Sequence, residues 1–106
     1  MIEPIDAAAL KARLDAGEDL VLLDVREARE LAVCQIEGVV HIPLGELTAR
    51  WQELDPERPT VCICHHGMRS AQAAQFLLGQ DFDQLYNLTG GVDAWAQRVD
   101  PRMARY

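Results

Sequence analysis

Short apolar segments alternate with helical patterns along this sequence, and this alternation restricts the possible folds more than any single residue does. Four segments have the length and apolar character of buried strands, namely residues 20–23, 39–42, 60–64 and 85–88. Strands that alternate with helices are typical of a parallel sheet whose two faces are covered. The pattern predicts the α/β class, with a central, mostly parallel sheet of about five strands and helices on both faces.

Helical patterns fill the intervals between these strands. We expect helices from Ala7 to about Gly17, then at 27–32, 44–54 and 71–78, with a last one that contains Val92 and Trp95. No linker, repeat or low-complexity stretch interrupts the series, and 106 residues suffice for one core but not for two. We therefore expect residues 1–106 to form a single domain.

Composition excludes several classes of function. A formal net charge of -7 disfavours nucleic acid as a partner, because an acidic protein repels phosphates. The first residues do not resemble a secretory leader and no apolar run approaches membrane length, so we expect a cytoplasmic protein with no membrane partner. Three cysteines do not make a fully paired disulfide framework, and free thiols are expected.

One of these thiols stands where a parallel sheet places its ligands. Cys64 ends the predicted strand 60–64, at the carboxyl edge of the sheet, and the next helical pattern follows at once. Gly67 gives the backbone the freedom to turn tightly there, so that successive amides can point inward near the start of a helix. Arg69 adds a cation, and the whole segment predicts an activated cysteine nucleophile.

At three places the sequence resembles the rhodanese-like family. The matching segments read LDVRE at 23–27, CHHGMRS at 64–70 and LTGGVDAW at 88–95. The second resembles the family's active loop, Cys-x-x-Gly-x-Arg-Ser, and the three occur in the family's order with similar spacing.

This resemblance implies a sulfur relay. Cys64 would be the catalytic residue: it would take a sulfane sulfur from thiosulfate or a similar anion, release sulfite, and hold the sulfur as a persulfide. A thiophilic acceptor such as cyanide, a small thiol or a protein thiol would then remove it. The resemblance implies no cofactor and no metal. The substrate-binding residues that it implies are those of the loop: His65, His66, Gly67, Met68 and Arg69.

Two departures from the family pattern are visible. Gln35, Glu37 and His41 are unusual in the segment 34–43, and we expect them to affect local packing rather than the chemistry. His65 and His66 place two titratable rings in the loop, so its charge could vary around neutral pH. The alternative is that both rings face solvent or a partner and that only their amides matter.

Other functions compete with this interpretation. A phosphatase or arsenate reductase also uses a cysteine loop with arginine, but those enzymes resemble one another in Cys-x5-Arg, whereas Cys64 and Arg69 are separated by four residues. A metal site could use Cys62, Cys64, His65 and His66, although neighbouring residues do not easily converge on one ion. A non-catalytic sulfur carrier or binding module stays open as a further alternative.

The remaining candidates are expected to be structural. Cys62 and Cys64 are poorly placed for a disulfide within one extended strand, so Cys62 and Cys34 are expected to pack. Asp24 and Arg26 follow a buried strand and are expected to fix loops through an ion pair.

Overall fold

Five parallel strands form one sheet in the computed structural model, which describes residues 1–106. The strands are β1 (Ile2–Ile5), β2 (Val21–Asp24), β3 (Val40–His41), β4 (Thr60–Ile63) and β5 (Leu85–Leu88). Their order across the sheet is β1-β5-β4-β2-β3, and each neighbouring pair is parallel. The predicted α/β class and the five-stranded parallel sheet are confirmed.

Helices cover both faces of this sheet. They are α1 (Ala7–Asp15), α2 (Ala28–Leu31), α3 (Leu47–Arg50), α4 (Met68–Leu78) and α5 (Gly91–Arg98). Side chains of α3 and α4 pack in one core cluster, and side chains of α1 and α5 pack in a second. The central strands β2 and β4 are buried along their whole length, as a sheet covered on both faces requires. None of the helices is both long and apolar enough to cross a bilayer.

The strand β1 was not among the predicted segments. Pro4 interrupts its apolar pattern and lacks a backbone N–H, which argues against a central strand. The structure resolves this because β1 lies at an edge of the sheet and pairs only with β5, so that one side of its backbone needs no partner strand.

The predicted helix 44–54 and strand 39–42 are both shorter than expected. The single helix is wrong: a 3-10 turn at Leu44–Glu46 and another at Trp51–Glu53 flank α3. The apolar spacing still places Leu47 and Leu54 in the core, with Leu44 and Trp51 packed against it. Tight turns of this kind satisfy the same spacing as a helix over a few residues. The predicted strand is reduced to the two residues of β3 because β3 is the opposite edge strand.

A buried ion pair follows β2. The guanidinium of Arg26 donates to both carboxylate oxygens of Asp24, with Nη2 and Oδ2 2.8 Å apart, and both side chains are fully buried. Arg26 Nη2 also donates to the carbonyl oxygen of Cys34 at 2.9 Å. The pair therefore connects the end of the sheet to the segment that follows α2, in keeping with the structural role expected for it.

Replacing Arg26 by leucine tests this pair. The substitution leaves the Asp24 carboxylate buried without its partner, which costs about 3–5 kcal/mol of unfolding free energy. The matched control is Arg58→Leu, which breaks an ion pair with Asp19 that is largely exposed and worth about 0–1 kcal/mol. Urea unfolding at neutral pH measures both losses, and equal losses would contradict the structural role of Arg26.

Candidate active site

Cys64 lies directly after β4, the middle strand of the sheet, and only 1% of its surface is exposed. The chain then turns through residues 64–67 and enters α4 at Met68. Gly67 makes this turn with a φ of 112°, a conformation that residues with a side chain rarely adopt. The turn brings the start of α4 back over the sulfur, as the sequence predicted.

Polar groups of the loop surround the sulfur of Cys64. The amide of Gly67 donates to Sγ at 3.0 Å, and Oγ of Ser70 lies 3.3 Å from it. Burial acts to raise the pKa of the thiol, but hydrogen bonds from Ser70 and from the amides of Gly67 and His66 outweigh burial and hold the pKa of Cys64 below its ordinary value. A larger fraction of Cys64 is therefore thiolate, the form that acts as a nucleophile.

Asn87 orients the hydroxyl of Ser70, which lies next to this sulfur. Its Nδ2 donates to the carbonyl oxygen of Gly67 at 3.1 Å, which turns Oδ1 toward the hydroxyl of Ser70. A hydroxyl has one proton to donate. When Ser70 donates this proton to Oδ1 of Asn87, its oxygen can only accept from the Cys64 thiol, so the proton must turn to Sγ to stabilise the thiolate.

The outside of the loop rests on the start of α5. The amide of Val92 donates to the carbonyl oxygen of Cys64 at 2.9 Å, and the amide of Asp93 donates to that of His65 at 3.2 Å. Gly91 allows this approach, because a Cβ at that position would overlap both carbonyl oxygens. The first turn of α5 thus fixes the backbone that carries Cys64.

Arg69 does not point a free charge at the sulfur. Its Nη1 and Nη2 donate to the two carboxylate oxygens of Glu30, at 2.7 and 2.8 Å. This pairing lowers the pKa of Glu30 to about 2. Because a carboxylate shares the charge of Arg69, the role of Arg69 in donor binding and thiol activation stays a prediction.

The other loop side chains lie outside the sulfur pocket. Met68 is 78% exposed, and His66 is also exposed. The half-buried ring of His65 stacks on Tyr106 with the ring centroids 3.9 Å apart. Burial, and to a lesser extent the charge of His66, lower the pKa of His65, so its titration moves further below neutral pH.

The two other cysteines are both free. Cys62 is fully buried in β4, and burial raises the pKa of its thiol to about 12, so that it stays protonated at neutral pH. Cys34 is half-buried beside Arg26, whose Nη1 lies 3.9 Å from Sγ. These surroundings distinguish Cys64 from both.

A cluster of potential metal ligands lies beside the loop. The ligand atoms of His65, His66 and Asp93 are all within 4.8 Å of one another. The two imidazole rings lie against each other at an angle of 31°, with centroids 3.9 Å apart, and neighbouring residues of this kind do not easily direct both rings at one ion. Arg105 also neutralises Asp93, with Nε and Oδ1 2.9 Å apart. We therefore assign no ion to this cluster.

Three residues of the site were not identified from the sequence. Glu30 and Tyr106 lie 39 and 37 positions from Arg69 in the sequence and reach its loop only through folding. No local pattern links either residue to the loop. Asn87 did carry a signal, because it is a polar residue in the apolar run 85–88. The register places it opposite Cys62 in β4, the strand that leads to Cys64.

The fold and the site together define a small α/β domain built around a cysteine loop. The family described as Rhodanese-like domain matches residues 6–98, and the chain belongs to this family. The resemblance inferred from the three sequence segments is confirmed.

Similar proteins and solved structures support the same family. The chain is 39% identical to the candidate sulfurtransferase YtwF of Bacillus subtilis (strain 168), over 95% of this chain and 97% of that protein. It is 35% identical to a sulfurtransferase of Allochromatium vinosum, over 98% and 97% of the two chains. A rhodanese-related protein from Thermoplasma volcanium superposes with a TM-score of 0.82 at 33% identity, over 92% of this chain and 93% of that one.

A larger enzyme contains the same fold. A thiosulfate sulfurtransferase from Pseudomonas aeruginosa superposes with a TM-score of 0.80 at 29% identity, over 91% of this chain but only 19% of that protein. Together these proteins support sulfur transfer as the general class of activity.

The contact between Gly91 and the loop can be tested by adding one methyl group. Gly91→Ala introduces a Cβ into the carbonyl oxygens of Cys64 and His65 at a φ of 58°, and we expect a loss of about 2 kcal/mol or more in unfolding free energy. Gly45→Ala is the control, since its Cβ meets nothing within 4 Å. Chemical denaturation compares them, and a loss at Gly91 no larger than that at Gly45 would disprove the contact.

Ser70→Ala tests the stabilisation of the thiolate. Removing the hydroxyl takes away a hydrogen bond that lowers the pKa of Cys64, so the pKa rises and alkylation slows at pH values below it. The rate at high pH, where the thiol is fully ionised in either protein, should be unchanged. The pH profile of iodoacetamide alkylation measures this, with exposed Thr48→Ala as control. A profile that does not move would mean that Ser70 leaves the thiolate unstabilised.

Proposed function

We propose that this chain is a sulfurtransferase in which Cys64 carries a sulfane sulfur as a persulfide. The observation that carries the proposal is the setting of Cys64 Sγ, which is buried yet receives the amide of Gly67 at 3.0 Å. Amide donors stabilise negative charge on sulfur, both on the thiolate and on the outer sulfur of a persulfide. The neighbouring amides from His65 to Arg69 form the wall of the same cradle.

The proposed reaction is a double displacement. The Cys64 thiolate attacks the outer sulfur of the donor, a new S–S bond forms, and the donor's own S–S bond breaks. When thiosulfate is the donor, sulfite leaves with the electron pair of that bond. A thiophilic acceptor then attacks the outer sulfur of the persulfide, and Cys64 returns as thiolate. With cyanide as the acceptor, the product is thiocyanate.

Thiosulfate is our proposed donor class because the cradle suits a small anion. The loop amides precede the eleven-residue helix α4, whose N-terminus adds partial positive charge. The thiosulfate sulfurtransferase from Pseudomonas aeruginosa shares this fold and lends support by analogy. The pairing of Arg69 with Glu30 argues against a phosphatase, since that chemistry needs an arginine free to bind the phosphoryl oxygens.

The acceptor and the compartment belong to the same proposal. A small thiol or a protein thiol is a physiological acceptor class that a persulfide can serve. Three free cysteines suit a reducing compartment, which supports a cytoplasmic location. A sulfur carrier that only delivers to a protein partner would use the same persulfide and differ only in its acceptor.

Sulfur loading is the experiment that tests this function. Intact mass of the reduced protein after incubation with thiosulfate should show one added sulfur atom, and cyanide should remove it with formation of thiocyanate. Cys64→Ser should not be loaded, because a hydroxyl is a poor nucleophile toward sulfur. Cys34→Ser, which leaves the loop intact, should be loaded like the parent protein. Loading of Cys64→Ser would overturn the assignment of the nucleophile.

A further inference from the structure

Tyr106 lies across the active-site loop. Its ring stacks on His65, the residue after Cys64, with an angle of 11° between the ring planes. Its hydroxyl donates to Oε1 of Glu30 and accepts from Nη1 of Arg26, both at 2.9 Å. The side chain therefore bridges the loop and α2, and it contacts the same carboxylate that holds Arg69.

Arg105, the preceding residue, binds the chain to α5 on the opposite side of the loop. Arg105 donates to both carboxylate oxygens of Asp93, in the first turn of α5, at 2.9 and 3.3 Å. The helices α2 and α5 follow β2 and β5, the two neighbours of β4 in the sheet. Residues 105–106, here called the strap, thus run from α5 to α2 across the end of β4, where Cys64 lies.

Most contacts of the strap lie at the surface of the domain, the exception being the bond between Tyr106 and the buried Arg26. The side chain of Arg105 is 53% exposed and Tyr106 is 43% exposed, and neither belongs to a helix or a strand. Exposed ion pairs contribute little and weaken with salt. Segments held by a few exposed side-chain contacts open locally far more often than the core.

We propose that the strap, residues 105–106, determines which acceptors reach Cys64, admitting small thiophiles and requiring release from Glu30 and Asp93 before a bulky acceptor such as a protein thiol can approach. The acceptor part of this inference rests on the proposed function. The access part does not, because it concerns only how reagents reach the Cys64 thiol.

Alkylation by reagents of two sizes measures access directly. Iodoacetamide is the small probe and maleimide attached to a neutral polyethylene glycol is the bulky one. Both are used on Cys34→Ser, which removes the half-buried thiol that would otherwise compete with Cys64. A minor open state is populated at about 10% or less, so Tyr106→Ala should raise the rate with the bulky probe at least about tenfold. The rate with iodoacetamide should change by less than about twofold, since the small probe already passes the closed strap.

Further variants separate the anchors. Arg105→Ala should raise the bulky-probe rate as well, and salt should accelerate that reaction in the parent but not in Arg105→Ala. Tyr106→Phe keeps the stack on His65 but loses both hydrogen bonds, so its rate should fall between those of the parent and Tyr106→Ala. Arg102→Ala is the matched control, an exposed arginine whose side chain makes no hydrogen bond.

The outcomes distinguish the strap from the proposed function. Unchanged bulky-probe rates in Tyr106→Ala and Arg105→Ala, or an equal rise with both probes, would overturn the strap. If the protein takes up no sulfur but Tyr106→Ala still raises the bulky-probe rate relative to the iodoacetamide rate, the strap proposal stands and the proposed sulfur transfer is wrong. Where loading occurs, Tyr106→Ala should accelerate sulfur delivery to a reduced protein thiol more than delivery to cyanide.

Discussion

The buried pair between Asp24 and Arg26 holds the active-site side of the molecule together. A buried carboxylate and guanidinium are stable only as partners, so the Arg26 side chain stays paired with Asp24 at the end of β2. Its remaining donors reach the carbonyl oxygen of Cys34 and the hydroxyl of Tyr106. These bonds place the segment around α2, and with it the Glu30 carboxylate that Arg69 requires. A charge pair in the core thereby positions a second pair at the surface of the loop.

The loop solves an electrostatic problem that the composition makes harder. The chain carries a net charge of -7, and Cys64 is almost completely buried. Both conditions disfavour a thiolate. The hydroxyl of Ser70 and the backbone amides of the loop overcome them. The amides are aimed at the sulfur by covalent geometry and lose little freedom when the charge forms. Cys62, two residues earlier, shows the contrast: without such donors, burial raises its pKa to about 12.

The sequence predicted those parts of the fold that depend on local pattern. Apolar runs and the turn at Gly67 were enough to place four strands and the cysteine loop. The strand β1 was missed because its stability comes from pairing with β5, across more than eighty residues of chain, and the pattern of Ile2 to Ile5 does not reveal that partner. The engagement of Arg69 by Glu30 was missed for the same physical reason. Charged side chains carry no sign in the sequence of which opposite charge will meet them in space.

Burial and access make opposite demands on a sulfur carrier. Hydrogen bonds to Sγ are strongest where water is excluded, yet a buried sulfur is out of reach of a large acceptor. The two demands are compatible if the wall that moves is separate from the cradle that binds. The cradle consists of amides in the loop and the start of α4, whereas the hydrogen bonds of the strap go to Glu30 and Arg26 on one side and to Asp93 on the other, and its contact with the loop is the stack on the His65 side chain. None of the hydrogen bonds of the strap involves Gly67 or the sulfur, so release of the strap breaks no bond that stabilises the thiolate.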